Sequence, residues 1–213
     1  DNSPGKTIRG VHLFLKRNIA NKDFLLNLFG DENKIKEYLN KYNISTNLIK
    51  ITHTNSVVSD EQTPLTAVKN SKNTSMWNCI KAQLEGDADI SLSAGNTGVL
   101  LVISRMILKM MSEVSKPALA GLWPNQKGMS VVLDLGANIE CNDENLVDFA
   151  ELGSALYKSL FANEKPVVSL LNIGSEEIKG TELLKKTFKK LKTLSNDTNF
   201  IFNGYIEGNK LMS

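Results

Sequence analysis

The chain has 213 residues, 41% hydrophobic and 23% charged, enough to build one large α/β domain or two small ones around a real core. Its formal net charge is +2, so bulk charge argues against nucleic acid as a partner. Two histidines, His12 and His53, and two distant cysteines, Cys79 and Cys141, form no metal-ligand spacing or disulfide framework. They predict reduced thiols in a cytoplasmic protein without a metal site.

The opening stretch DNSPG reads as a loop, without a secretory signal pattern. Ile8, Val11, Phe14 and Leu15 then recur at helical spacing over residues 6–17. Residues 24–31, FLLNLFGD, read as a buried strand ending at Gly30; 32–42 as a short charged helix; 47–54 as a second strand. The stretch from Ser56 to Ser75 reads as irregular or partly helical. A helix over 76–84 is ended by Gly86, and 88–93 is predicted as a strand.

Residues 99–112 predict a buried helix. The apolar run 99–111 is too short to span a bilayer and carries Arg105 and Lys109 as one polar strip. SKPALAGLWPNQKG, broken by Pro117, Pro124 and Gly128, reads as a long connection. There follow a strand in MSVVLDLG, a helix over 145–161, a strand in PVVSLLNIG, a helix over 179–194 and a last strand in NFIFNG. Strands alternating with helices predict an α/β fold with a mostly parallel sheet covered by helices on both faces, in a single domain over 1–213.

Four strand ends share one chemistry: SLSAGNTG, LDLGAN, LLNIG and FIFNGYIEG each pair glycine with asparagine. One such turn is ordinary. Four, at the carboxyl ends of parallel strands, predict a ligand crevice. Glycine frees backbone N–H groups, asparagine adds neutral donors, and a helix N-terminus follows GNTG; together these suit an oxyanion. None fits GxGxxG or GxxxxGK[ST]. Lys179, expected at a helix start, adds a cation. On that helix Leu183, Leu184, Phe188, Leu191 and Leu194 form a buried face, and Lys185, Lys186, Lys189, Lys190 and Lys192 lie outside it. The default for such a face is solvation; the alternative is an acidic partner.

The segments HTNSVVSDEQTPLTAVKNSKNTSM, SAGNTGVLL, KPALAGLWP, LDLGANIEC, FAELGSALY, LLNIGSEEIKGTELLKKTF and NFIFNGYIEG, in this order, resemble the phosphate acyltransferases of bacterial phospholipid synthesis, the PlsX family. The resemblance implies a three-layer fold related to the isocitrate and isopropylmalate dehydrogenases. It also implies that the chain lacks the family's first strand and C-terminal third. The implied reaction converts acyl-acyl carrier protein and inorganic phosphate to acyl phosphate and free carrier protein, without a cofactor. A homodimer with peripheral contact at the inner membrane face is implied with it.

That chemistry agrees with the residues. Phosphate is already anionic and needs no histidine base, so the enzyme mainly positions it and stabilises a tetrahedral oxyanion. The expected site assigns Ser93, Asn96, Thr97, Gly98 and Asn138 to phosphate or substrate, and Lys179, Asn172 and Glu207 to catalysis. Lys185, Lys186 and Lys189 are assigned to carrier-protein docking. The alternatives are a phosphotransacetylase acting on acetyl-CoA and a non-catalytic carrier-protein-binding module.

Overall fold

The computed structural model describes residues 3–18, 20, 23–59, 66, 69–162, 164–195 and 199–212. Its contacts cluster into two compact units, Asp1–Lys109 and Met110–Ser213. The expectation for the Ser56-to-Ser75 stretch falls partly outside the described residues.

In the first unit, α1 (Gly5–Arg17) precedes β1 (Leu26–Gly30), α2 (Glu32–Lys41) and β2 (Ile49–His53). The two strands pair in parallel, Leu26 opposite Ile49 through Gly30 opposite His53. Ile8, Ile35 and Leu39 are buried together beside this pair, as the apolar spacing of the two helices requires. Asp31 caps α2 by accepting the N–H of Asn33 and Lys34. His53 serves the same junction: its Nδ1 accepts the Glu32 N–H at 3.2 Å, so its Nε2 carries the proton towards Asn55 at 2.6 Å. Then come α3 (Ser75–Leu84) and α4 (Thr97–Leu108), which bury Met76, Ile80, Val99, Ile103 and Ile107 against each other.

Residues 88–93 form no strand. Their period-2 apolar groups Ile90 and Leu92 are 75% and 84% exposed, and no strand pairs with them among the described residues. Instead the Ser91 hydroxyl ties the segment to α3 by donating to the Cys79 carbonyl at 3.0 Å.

The second unit begins with an antiparallel hairpin, β3 (Gly121–Asn125) and β4 (Gly128–Val132). Sequence reading takes β3 for an irregular connection and runs β4 on to Gly136. The hairpin is closed by Asn125, whose carboxamide accepts the Lys127 N–H at 2.8 Å and donates to the Ser130 hydroxyl at 2.7 Å. Next come α5 (Asp143–Leu160), β5 (Val167–Asn172), α6 (Glu182–Leu194) and β6 (Ile201–Glu207). Strands β5 and β6 pair in parallel, with Asn172 opposite Glu207. Leu170, Leu191, Phe200 and Tyr205 form the core there, with Val147 and Ala150 of α5 packed against it.

Helix α6 starts three residues later than Lys179. Gly180 holds φ +95°, outside the helical region, and Thr181 caps the helix through its hydroxyl. The described strands thus form three two-stranded sheets, two of them parallel, which agrees with an α/β class and a mostly parallel strand arrangement.

Candidate functional site

In the first unit the 93–98 turn delivers the chain into α4. The Gly95 N–H donates to Ser93 Oγ at 3.2 Å, and the Val99 N–H donates to Asn96 Oδ1 at 3.0 Å. Asn96 is therefore the N-cap of α4. With Val99 capped, helix geometry leaves the N–H groups of Thr97 and Gly98 without an intrahelical acceptor, at the positive end of the helix dipole. Thr97 is exposed and Gly98 half-buried. The four residues expected to bind phosphate are brought together here, although the side-chain oxygens of Ser93 and Asn96 accept backbone protons.

In the second unit Asn172, Lys179 and Glu207 meet at the end of β5. Asn172 is buried, and both ends of its carboxamide serve the loop: Nδ2 donates to the Lys179 carbonyl at 3.1 Å, and Oδ1 accepts the Ile173 N–H at 2.9 Å. Asn172 thus closes the 173–180 turn from inside. A Cβ at Gly180 would lie 2.6 Å from Asn172 Oδ1, and one at Gly174 would collide with Lys179 Cδ. The two glycines let the loop close over the amide and the lysine stem cross the backbone.

Lys179 Nζ lies 2.9 Å from Glu176 Oε1, with both side chains about half exposed. The hydrogen bond and charge of Glu176, aided by Glu207, raise the Lys179 pKa; the same hydrogen bond lowers that of Glu176. Lys179 is a permanent cation held at the surface. Glu207 faces Lys210 Nζ at 3.5 Å.

Asn138 sits in another turn of this unit, organised by a residue that sequence reasoning missed. Asp134 Oδ1 accepts the N–H of Leu119 at 3.2 Å and of Ala137 at 3.0 Å. Its Oδ2 accepts the Asn138 N–H at 2.9 Å and the Asn138 Nδ2 at 2.8 Å. Partial burial pushes the Asp134 pKa up, but the hydrogen bonds from the Asn138 side chain and the three backbone N–H groups outweigh it, leaving a net lowering. The second proton of the Asn138 amide goes to the Pro117 carbonyl at 2.8 Å. Both Asn138 side-chain protons are therefore committed within the turn. The available signal was an aspartate two to four residues before Gly-Ala-Asn, the pattern of a side chain folding back on its own backbone.

The lysines of α6 are not equivalent. Lys185 pairs with Glu182 at 2.9 Å, Lys190 with Asp143 at 2.8 Å, and Lys192 with Glu177 at 3.5 Å. Lys186 and Lys189 are exposed, and no ion pair joins them among the described residues.

Among the described residues no cluster of His, Cys, Asp and Glu is placed to hold a metal, and no helix is long and apolar enough to cross a membrane.

The fold is similar to that of the EutD phosphotransacetylase from Staphylococcus aureus, which superposes with a TM-score of 0.67, covering 96% of this chain and 67% of that one at 17% identity. By sequence, the family model described as "Fatty acid synthesis protein" matches residues 1–213, and the chain belongs to that family. Relatives named phosphate acyltransferase include those of Pelagibacter ubique, 51% identical over the whole chain and 62% of the relative, and of Parvibaculum lavamentivorans, 39% identical over 99% of the chain and 57% of the relative. A third, from Maricaulis maris, is 36% identical over 99% of the chain and 59% of the relative. The chain spans about three fifths of the length of these relatives.

Proposed function

We propose that the protein carrying this chain transfers the acyl group of acyl-acyl carrier protein to inorganic phosphate, for phospholipid synthesis. The observation that carries this reading is 51% identity, over every residue of the chain, to a phosphate acyltransferase. A phosphate oxygen attacks the thioester carbonyl carbon, and a tetrahedral oxyanion forms. Its collapse breaks the C–S bond and releases the carrier protein's thiolate with acyl phosphate. No base is required of the protein, since phosphate already carries the attacking electron pair.

In this reading the 93–98 turn, with the N–H groups of Thr97 and Gly98, binds phosphate. Lys179 stabilises developing negative charge, Asn172 positions Lys179 through its carbonyl, and Glu207 helps orient the cation. Lys186 and Lys189 are the docking lysines for an acidic carrier protein, while Lys185 serves Glu182 first. A three-layer, dehydrogenase-like sheet, a homodimer and a peripheral position at the inner membrane face belong to the same proposal.

The fold likeness to a phosphotransacetylase favours a second reading, with acetyl-CoA as donor. Incubating the protein with acyl-carrier protein, with acetyl-CoA, and with or without inorganic phosphate separates the two; acyl phosphate is trapped as a hydroxamate. The proposal expects phosphate-dependent hydroxamate from acyl-carrier protein. Product from acetyl-CoA alone transfers the assignment to the second reading, and carrier binding without product reduces the protein to a binding module.

A further inference from the structure

The 134–138 turn carries the same pairing of glycine and asparagine as the 93–98 turn, yet the donors of Ala137 and Asn138 are already taken. The four hydrogen bonds that reach Asp134 consume the N–H groups of Leu119, Ala137 and Asn138 and one proton of the Asn138 amide. Its other proton goes to Pro117. With a carboxylate and a carbonyl both facing Nδ2, the orientation of the amide is fixed, because a flipped amide would set oxygen against oxygen. What the side chain still offers is Oδ1, an acceptor, and no donor reaches it among the described residues. Phosphate is a poor match: it is mostly acceptor, and Asp134 adds a negative charge beside it. Leu135 and Ile139, 36% and 104% exposed, flank residues 136–138 in sequence, and Lys116 Nζ donates to the Glu140 carbonyl at 2.6 Å just beyond the turn.

We propose that Asn138 binds the thioester donor rather than phosphate, with Oδ1 accepting an amide N–H from the pantetheine-type arm that carries the acyl group. Asp134 is the positioning residue that sets this polarity. An arm of methylenes interrupted by amides supplies an N–H for that acceptor, and its methylenes would lie on the exposed side chain of Ile139, next in sequence. The inference rests on the acyl-transfer reading above and assigns a second subsite to it.

The test compares thioesters of N-acetylcysteamine, which has an amide N–H, and of ethanethiol, which has none, using Asn138→Ala in the full-length protein. Loss of one neutral hydrogen bond predicts that the kcat/KM ratio of the amide donor to the amide-free donor falls about 3- to 10-fold. KM for phosphate stays where it was. Asp134→Asn should lower the same ratio, and a double variant should lower it no further. Should these variants fold poorly, Ile139→Ser touches only an exposed side chain, and it should raise KM for both thioesters at least about threefold. Carrier-protein and coenzyme A thioesters, run alongside, identify the source of the arm: it is the donor with the higher wild-type kcat/KM and the larger loss in Asn138→Ala. Equal losses on both small donors, a raised phosphate KM, or an unchanged thioester KM in Ile139→Ser would each overturn the proposal alone. A wild-type protein without phosphate-dependent cleavage of any donor would overturn the acyl-transfer reading and this inference with it.

Discussion

The turns after β4 and β5 look alike in sequence, LDLGAN against LLNIG, and differ in what their own side chains do. After β4 an aspartate folds back and takes the N–H groups of Ala137 and Asn138 and one proton of the Asn138 amide, so a turn suited to an anion already contains one. After β5 the side chain that folds back is neutral: Asn172 closes the loop and leaves a lysine on the outside. Glycine and asparagine mark where a backbone can bend around a ligand. The neighbouring charged side chain decides whether an anion or a proton donor is welcome.

The largest expected effect falls on the β5 turn. Lys179→Ala should keep the fold, since the side chain is half exposed, and lower turnover in acyl-phosphate formation about 10²–10³-fold, the usual result of removing one donor to a developing oxyanion. Wild-type turnover in the folded variant would remove the chemical half of the contrast.

Substituting one glycine in each turn sharpens the contrast. Gly180 and Gly136 both have positive φ, +95° and +86°. A Cβ at Gly180 meets Asn172 Oδ1 at 2.6 Å, whereas one at Gly136 meets nothing within 4 Å. Gly136→Ala should cost about 1–2 kcal/mol from backbone conformation alone, and Gly180→Ala about 2–4 kcal/mol once the collision with a bonded amide is added. Denaturant midpoints at constant slope measure both; equal losses would mean that the β5 loop is not closed over Asn172.

Asp134→Asn should cost about 2 kcal/mol at neutral pH, because the new amide presents protons to N–H groups that need an acceptor. The pH dependence follows from the lowered pKa. The folded state holds the Asp134 proton less tightly than the unfolded state, so the stabilisation is complete above the unfolded aspartate value. It disappears as pH falls through the lower folded value, that is, below about 4. Melting wild type and variant from neutral pH to about pH 3 should show the gap narrowing at acid pH. A gap independent of pH would detach Asp134 from this turn.

Much of the fold was legible because apolar spacing is local. Helices α1, α2, α3, α5 and the parallel strand pairs sit within a few residues of their apolar runs. The failures have physical causes. Residues 88–93 have the alternation of a strand, but a strand also needs a partner, and alternation says nothing about one. Strand β3 was hidden by Pro124, and the start of α6 by Gly180, whose positive φ excludes it from the helix. At the site, the clustering of Asn172, Lys179 and Glu207 followed from strand order. The roles did not: whether an amide faces a ligand or its own backbone depends on partners such as Asp134 and Pro117, and no spacing rule reports them.

The smallest expected effect lies on α6. Reversing the charges of Lys186 and Lys189, which have no ion pair among the described residues, should lower kcat/KM for carrier-protein donors severalfold at low salt and little at high salt. Steering reaches only about 8 Å at physiological ionic strength. Small thioesters should be unaffected. The same reversal at Lys190 would also break its pair with Asp143, so it is the wrong place to look for steering alone.

If the 93–98 turn takes phosphate and the 134–138 turn does not, amide chemical shifts during a titration with inorganic phosphate will separate them. The N–H signals of Thr97 and Gly98 should move and saturate, while those of Gly136, Ala137 and Asn138 stay still. Saturable movement of the 136–138 signals, with Thr97 and Gly98 unmoved, would contradict that assignment.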